Sequence, residues 1–125
     1  MAILDSGRQA SLSPPEFQIL LALADGEKHG YAIMQEVQAR TGGRTRLGPG
    51  TLYGAIKRML RGALIEETEE RPDPQLDDQR RRYYRLTDAG RRLAVAEAER
   101  MAELVRNARD KQLLEGSIRL RPVGG

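Results

Sequence analysis

The chain has 125 residues, 39% of them hydrophobic, and a net charge of +3, which fits one domain with a modest core. With one Phe, four Tyr and no Trp, that core must come from Leu, Ile, Val, Met and Ala, and a monomer so built is marginal enough that a homodimer is expected. The absence of Cys excludes disulfides, thiolate catalysis and Cys-based zinc sites; no secretory leader opens the sequence and no run reaches the ~18–20 apolar residues of a membrane span, so a cytoplasmic protein is expected.

Residues 1–11 show no element and are expected to be flexible. Ser13-Pro14-Pro15-Glu16 then reads as a capping box, with Leu12 and Phe17 at the staple positions, and the set Phe17, Leu20, Leu21 and Ala24 recurs at helical spacing up to Asp25-Gly26. A second helix runs from His29 or Gly30 to Arg40 and presents Ile33, Met34 and Val37 on its apolar face. Residues 43–49 form a turn-rich link with a single apolar residue, Leu47. A third helix follows from about Gly50 or Thr51 to Gly62. Leu52, Ile56, Met59 and Leu60 share one of its faces; Gly50, Gly54, Lys57, Arg58 and Arg61 share the other, so its solvent side is the basic one.

The periodicity then changes. Residues 64–69 and 81–86 read as two strands of a hairpin around a polar tip. Thr87 caps a last helix continuing to about residue 114, which would be ~40 Å long at 1.5 Å per residue. In it Ala94, Ala98, Met101, Val105 and Ala108 recur at spacings of four and three, the seam of a coiled coil, and Leu93 and Leu104 widen the stripe. A helix reaching past its domain exposes such residues unless something covers them, so these seven positions are the expected dimer interface. Residues 115–125 read as a flexible tail.

Charge follows the same divisions. Between residues 38 and 65 there are six cations (Arg40, Arg44, Arg46, Lys57, Arg58, Arg61) and no acid; residues 66–78 hold seven acids and one Arg; Arg80, Arg81, Arg82 and Arg85 follow. Three helices, the third basic on its outer face, followed by a β-hairpin, make a mainly α fold with a small β-hairpin. This is a winged helix-turn-helix domain at 12–86 plus a C-terminal dimerisation helix at 87–114. The partner such a face fits is double-stranded DNA.

The residues resemble the PadR family of transcriptional regulators: His29-Gly30-Tyr31-Ala32-Ile33 opens the second helix, Gly50-Thr51-Leu52-Tyr53 the third, Lys57-Arg58-Met59 with Gly62-Ala63-Leu64-Ile65 closes it, and residues 82–90 match after the wing. The resemblance implies a homodimeric regulator, more often a repressor, that binds an operator and takes a small aromatic effector. Two positions depart from it: Gly54 stands where the family often has Pro, and Ala63 stands where a Gly directly before the Leu is expected.

The candidate DNA contacts are Arg44, Arg46, Thr51, Tyr53, Lys57, Arg58, Arg61, Arg80, Arg81 and Arg82. Some have a second reading. Thr51 suits a DNA contact or a helix cap, Tyr53 a DNA contact or a packing residue on the border of the apolar face, and residues 80–82 either meet phosphate or neutralise the acidic loop. His29 reads as a structural or solvent-exposed residue. The acids Glu66, Glu67, Glu69, Glu70, Asp77 and Asp78 read as a solvated charge run, and residues 43–51 have the frame of a phosphate loop without its Lys. No catalytic set, cofactor or metal site is expected. The rival reading is a winged-helix adaptor that binds protein and not DNA.

Overall fold

A computed structural model describes residues 12–68 and 82–114. The expectations for both termini, for the hairpin tip and for Arg80 and Arg81 lie outside the described residues. The order is α1 (Pro14–Ala22), β1 (Lys28–His29), α2 (Gly30–Arg40), α3 (Pro49–Arg61), β2 (Ile65–Glu67), β3 (Tyr83–Leu86) and α4 (Asp88–Asp110).

The capping box forms as its sequence requires. The Glu16 backbone N–H donates to Ser13 Oγ at 3.3 Å and the Ser13 N–H donates to Glu16 Oε1 at 3.0 Å, satisfying two donors that a helix start leaves open. The apolar face of α1 differs from the single stripe its spacing suggests. Ile19, Leu20, Ala22 and Leu23 go into the core, whereas Phe17 is half-buried and Leu21 is 40% exposed. Nearly every residue from 17 to 24 is apolar, so α1 has two faces: one meets α2 and α3, the other meets α4.

The core lies where Ile19, Leu20 and Leu23 of α1 and its C-cap meet Ile33 and Val37 of α2 and Leu52, Ile56 and Met59 of α3, closed by Ile65 of β2 and Tyr84 of β3. Each fully buried aliphatic side chain there contributes about 1.5–3 kcal/mol by leaving water.

The sheet has three strands, in the order β1-β3-β2, rather than the two of a simple hairpin. β1 pairs antiparallel with β3 in the register Lys28↔Tyr84 and His29↔Tyr83. A two-residue strand carries no periodicity, which is why the sequence does not announce it. The same residues start α2: His29 Nδ1 accepts from the Ala32 N–H at 3.0 Å, and the ring meets Tyr83 edge-on with centroids 5.2 Å apart. His29 is therefore the N-cap of α2, and the structural reading holds.

Three helices end alike. In α2, α3 and α4 the second residue past the helix C-cap donates to the carbonyl five positions earlier, for example Leu64 N–H to Met59 O at 2.9 Å, with Ala63 N–H to Leu60 O at 3.0 Å inside it. This motif puts one residue in the left-handed region: Gly42 at φ 64°, Ala63 at φ 60° and Gln112 at φ 67°. Only the first is Gly. The departure noted at Ala63 thus falls on the position where a Cβ is strained, at a cost of about 1–2 kcal/mol.

α4 begins on Thr87, whose Oγ1 accepts from the Gly90 N–H at 3.0 Å and donates to Ala63 O at 2.7 Å. Its first turn crosses the β2 entry so closely that a Cβ on Gly90 would overlap the Leu64 carbonyl oxygen and stand 2.9 Å from its carbon. The helix spans 23 residues and ends at Asp110, not at 114; residues 111–114 are turns.

Candidate nucleic-acid interface

The turn between α2 and α3 is pinned from both sides. Leu47 is buried, and Thr41 Oγ1 accepts from the Thr45 N–H at 3.0 Å. Arg44 and Arg46 are left exposed on this turn, immediately before α3. α3 starts with Gly48 as N-cap and Pro49 at its first position, without a side-chain cap hydrogen bond among the described residues. Thr51 is therefore not the cap; it is an exposed residue of the first turn. Lys57, Arg58 and Arg61 are exposed on the same side, opposite Leu52, Ala55, Ile56 and Met59.

Tyr53 has a different place. It is half-buried against the core, and a Cβ on Gly30 would run into its hydroxyl and stand 2.9 Å from the ring carbon bearing it. Gly30 is what admits the ring, so the packing reading of Tyr53 describes the free protein, with the ring bridging α3 to the start of α2.

Arg58 is joined to α1. Its Nε donates to Glu16 Oε2 at 3.1 Å, while the other oxygen of Glu16 stays in the capping box. Burial pushes the Glu16 carboxyl up, but the bonds from the Ser13 backbone, from Arg58 and from the Ser13 hydroxyl outweigh it and hold the group below the ordinary carboxylate range. No spacing rule links positions 16 and 58, so the sequence shows Glu16 only as the acid of a capping box and not as the partner of Arg58.

The wing is charge-balanced where it is described. Glu66 and Arg85 face each other in the strand register, with Arg85 Nε 2.7 Å from Glu66 Oε2, and Arg82 Nε lies 3.7 Å from Glu67 Oε2. Exposed pairs of this kind contribute about 0–1 kcal/mol, so their effect is mainly to offset the positive charge. In the free protein Arg82 thus lies beside an acid.

The expected dimer positions share α4 but not one environment. Leu93, Ala94, Met101 and Ala108 are half-buried, while Ala98, Leu104 (54%) and Val105 (44%) are exposed. Among them sits Glu97, only 3% exposed and paired with Arg100. Ala94 and Ala98 also line a shallow groove of about 160 Å³ between α1 and α4 with Phe17, Leu21 and Val95; Arg91 crosses its edge to donate to Ala24 O at 3.1 Å. Among the described residues no helix is long and apolar enough to cross a membrane, and no group of three or more His, Asp or Glu is placed to hold a metal.

Comparison with known proteins gives the same picture. Residues 19–96 match the model of the transcriptional regulator PadR-like family. The transcriptional regulator Rv3488 of Mycobacterium tuberculosis is 34% identical over 99 residues, 79% of this chain and 86% of that protein. An uncharacterized 37.1 kDa protein in transposon TN4556 of Streptomyces fradiae is 44% identical over 86 residues, 69% of this chain, but the match spans only 22% of that longer protein. Among solved structures, a PadR family transcription regulator from Clostridium difficile R20291 superposes with a TM-score of 0.65 at 25% identity, covering 80% of this chain and 99% of the other. A transcriptional regulator from Clostridium thermocellum gives 0.64 at 26% identity, covering 77% and 89%. The mainly helical fold with its small antiparallel sheet is that of these winged-helix regulators, and the chain belongs to the PadR-like family of transcriptional regulators.

Proposed function

We propose that the protein is a homodimeric, sequence-specific DNA-binding repressor without enzymatic activity. In this reading α3 enters the major groove of each operator half-site and the wing lies against the backbone. The observation that carries it is the exposed face of α3. Thr51, Lys57, Arg58 and Arg61 stand on one side of a helix seated on the core by the other, next to exposed Arg44 and Arg46, within a 28-residue stretch (38–65) containing no acid. Base-edge contacts fall to the α3 residues, while Arg44, Arg46 and residues 80–82 of the wing meet phosphate.

Dimerisation through α4 follows from what that helix leaves uncovered. Val95, Leu104 and Val105 are 44–54% exposed, and the apolar surface runs on into the groove at Phe17 and Leu21. A second copy of α4 lying along this surface would cover both. A small aromatic effector would act by changing how two such copies meet.

The test is DNA binding by fluorescence anisotropy as a function of salt. If a dimer neutralises roughly six to ten phosphates, log K against log salt concentration slopes at about −5 to −9. A nearly flat dependence removes the basic footprint and leaves the protein-adaptor reading in its place.

A further inference from the structure

We propose that Arg58 reads a guanine in the major groove and that Glu16, on a different helix, is the residue that positions it. The inference rests on the DNA-binding reading above. Arg58 and Gly54 are one turn apart on the exposed face of α3. Side chains on a helix lean toward its N-terminus, and Nη1 of Arg58 lies 3.8 Å from where a Cβ of Gly54 would be. The guanidinium therefore lies back along α3, over the bare backbone of Gly54, toward the end of the helix that meets base edges in this class of fold. Gly54, the departure from the family's frequent Pro, leaves that path open.

The other half of the geometry belongs to Glu16. Its Oε1 is held by the Ser13 N–H at 3.0 Å and its Oε2 accepts from Arg58 Nε at 3.1 Å, so the carboxylate is anchored to α1 and in turn anchors the arginine. A long cation on a helix surface ordinarily samples many rotamers. Here the Nε–H is engaged and, among the described residues, the two terminal amino groups have no hydrogen-bond partner, on a side chain still 55% exposed, whereas Glu16 is 17% exposed. Two terminal N–H groups held in one plane are the fork that matches O6 and N7 of guanine. A carboxylate beside a DNA-binding face repels phosphate, so as a source of affinity Glu16 makes no sense. As a device that trades nonspecific attraction for a fixed direction of Arg58 it does.

The experiment selects binding sites from a randomised duplex library with the full chain and with variants, each checked by thermal melting. The wild type should enrich a motif containing one G·C pair per half-site that depends on Arg58. Arg58→Lys, which keeps the charge but not the fork, should flatten that position by about 10-fold or more and spare the rest of the motif. Glu16→Ala should flatten the same position while binding to random duplex stays constant or rises. Glu16→Gln, whose single amide oxygen can replace only one of the two carboxylate acceptors, should fall between the wild type and Glu16→Ala at that position. Glu16→Ala added to Arg58→Lys should change no base position further. If Glu16→Ala raises binding to all duplexes equally and alters no position, or alters positions that persist in the Arg58→Lys background, the positioning role is overturned. A wild-type motif that survives Arg58→Lys unchanged overturns the guanine contact alone, whereas a wild type that enriches no motif overturns the DNA-binding reading beneath it.

Discussion

The domain from Leu12 to Leu86 and the helix α4 both carry apolar residues at helical spacing yet reach different ends. In the domain, apolar side chains from three helices and two strands converge, and eight of the largest are less than 2% exposed. α4 meets α1 and β3, and past that contact it carries Leu104 and Val105 into solvent at 54% and 44%. α4 is the more charged of the two, and the apolar residues it does carry lack the neighbours that the chain supplies to the domain. The domain is complete within one copy, and α4 presents an apolar stripe that one copy cannot cover.

The largest expected effect is at the junction between the two. Gly90→Ala places a methyl group against the Leu64 carbonyl, and since both partners are backbone neither can step aside. Destabilisation by about 3 kcal/mol or more is expected in urea unfolding, as for severe overpacking. A change within 0.5 kcal/mol would mean that α4 can tilt away from β2 and that the two regions are less firmly joined than described.

Next in size is Leu104→Glu. The site is more than half exposed in one copy, so a monomer should tolerate the change within about 0.5 kcal/mol. In a dimer it buries a carboxylate beside its symmetry mate, at a cost of about 2 kcal/mol or more. Sedimentation should show a shift toward monomer with the far-ultraviolet spectrum unchanged, and Met101→Glu should act in the same direction. An unaltered dimer would take the α4 stripe out of the interface.

A smaller effect of opposite sign is expected from Ala63→Gly. The residue sits at φ 60° in the C-terminal cap of α3. Glycine relieves that strain but adds freedom to the unfolded chain, so a net gain of about 1 kcal/mol in stability is expected. A loss would mean that the Ala63 methyl makes a contact that outweighs its strain.

These positions also show what the sequence discloses and what it hides. Helix starts were legible because their caps are local: Ser13 with Glu16, and Thr87 with Gly90, each lie three residues apart. The odd residue at 63 was legible against the family pattern, and the left-handed φ gives its reason. Three features were not legible. β1 is too short to carry a period. The second face of α1 is masked because the residues around the stripe are apolar too. The Glu16–Arg58 pair spans 42 positions, and nothing in either neighbourhood points to the other. Glu97 is a partial case: an acid between Ala94 and Met101 is visible in the sequence, but its burial depends on the fold.

The smallest effect concerns acid and the domain alone. The Glu16 carboxyl titrates below its ordinary value of 4.5 in the folded protein, because the Ser13 and Arg58 bonds more than offset its burial. A carboxyl whose folded pKa is depressed contributes stability above its unfolded value and loses that contribution as pH falls through the folded one. Glu16→Gln cannot titrate, and its single amide oxygen replaces only one of the two carboxylate acceptors. Wild type should therefore exceed the variant by about 1 kcal/mol or less near neutral pH, and the gap should close as pH drops below 4.5. Urea unfolding across that range measures it. The same series run on Leu104→Glu should show the same closing gap, since Glu16 lies wholly within the domain. If the gap appears only in the dimer, Glu16 responds to the second copy, and the separation of a self-sufficient domain from an incomplete helix fails at that residue.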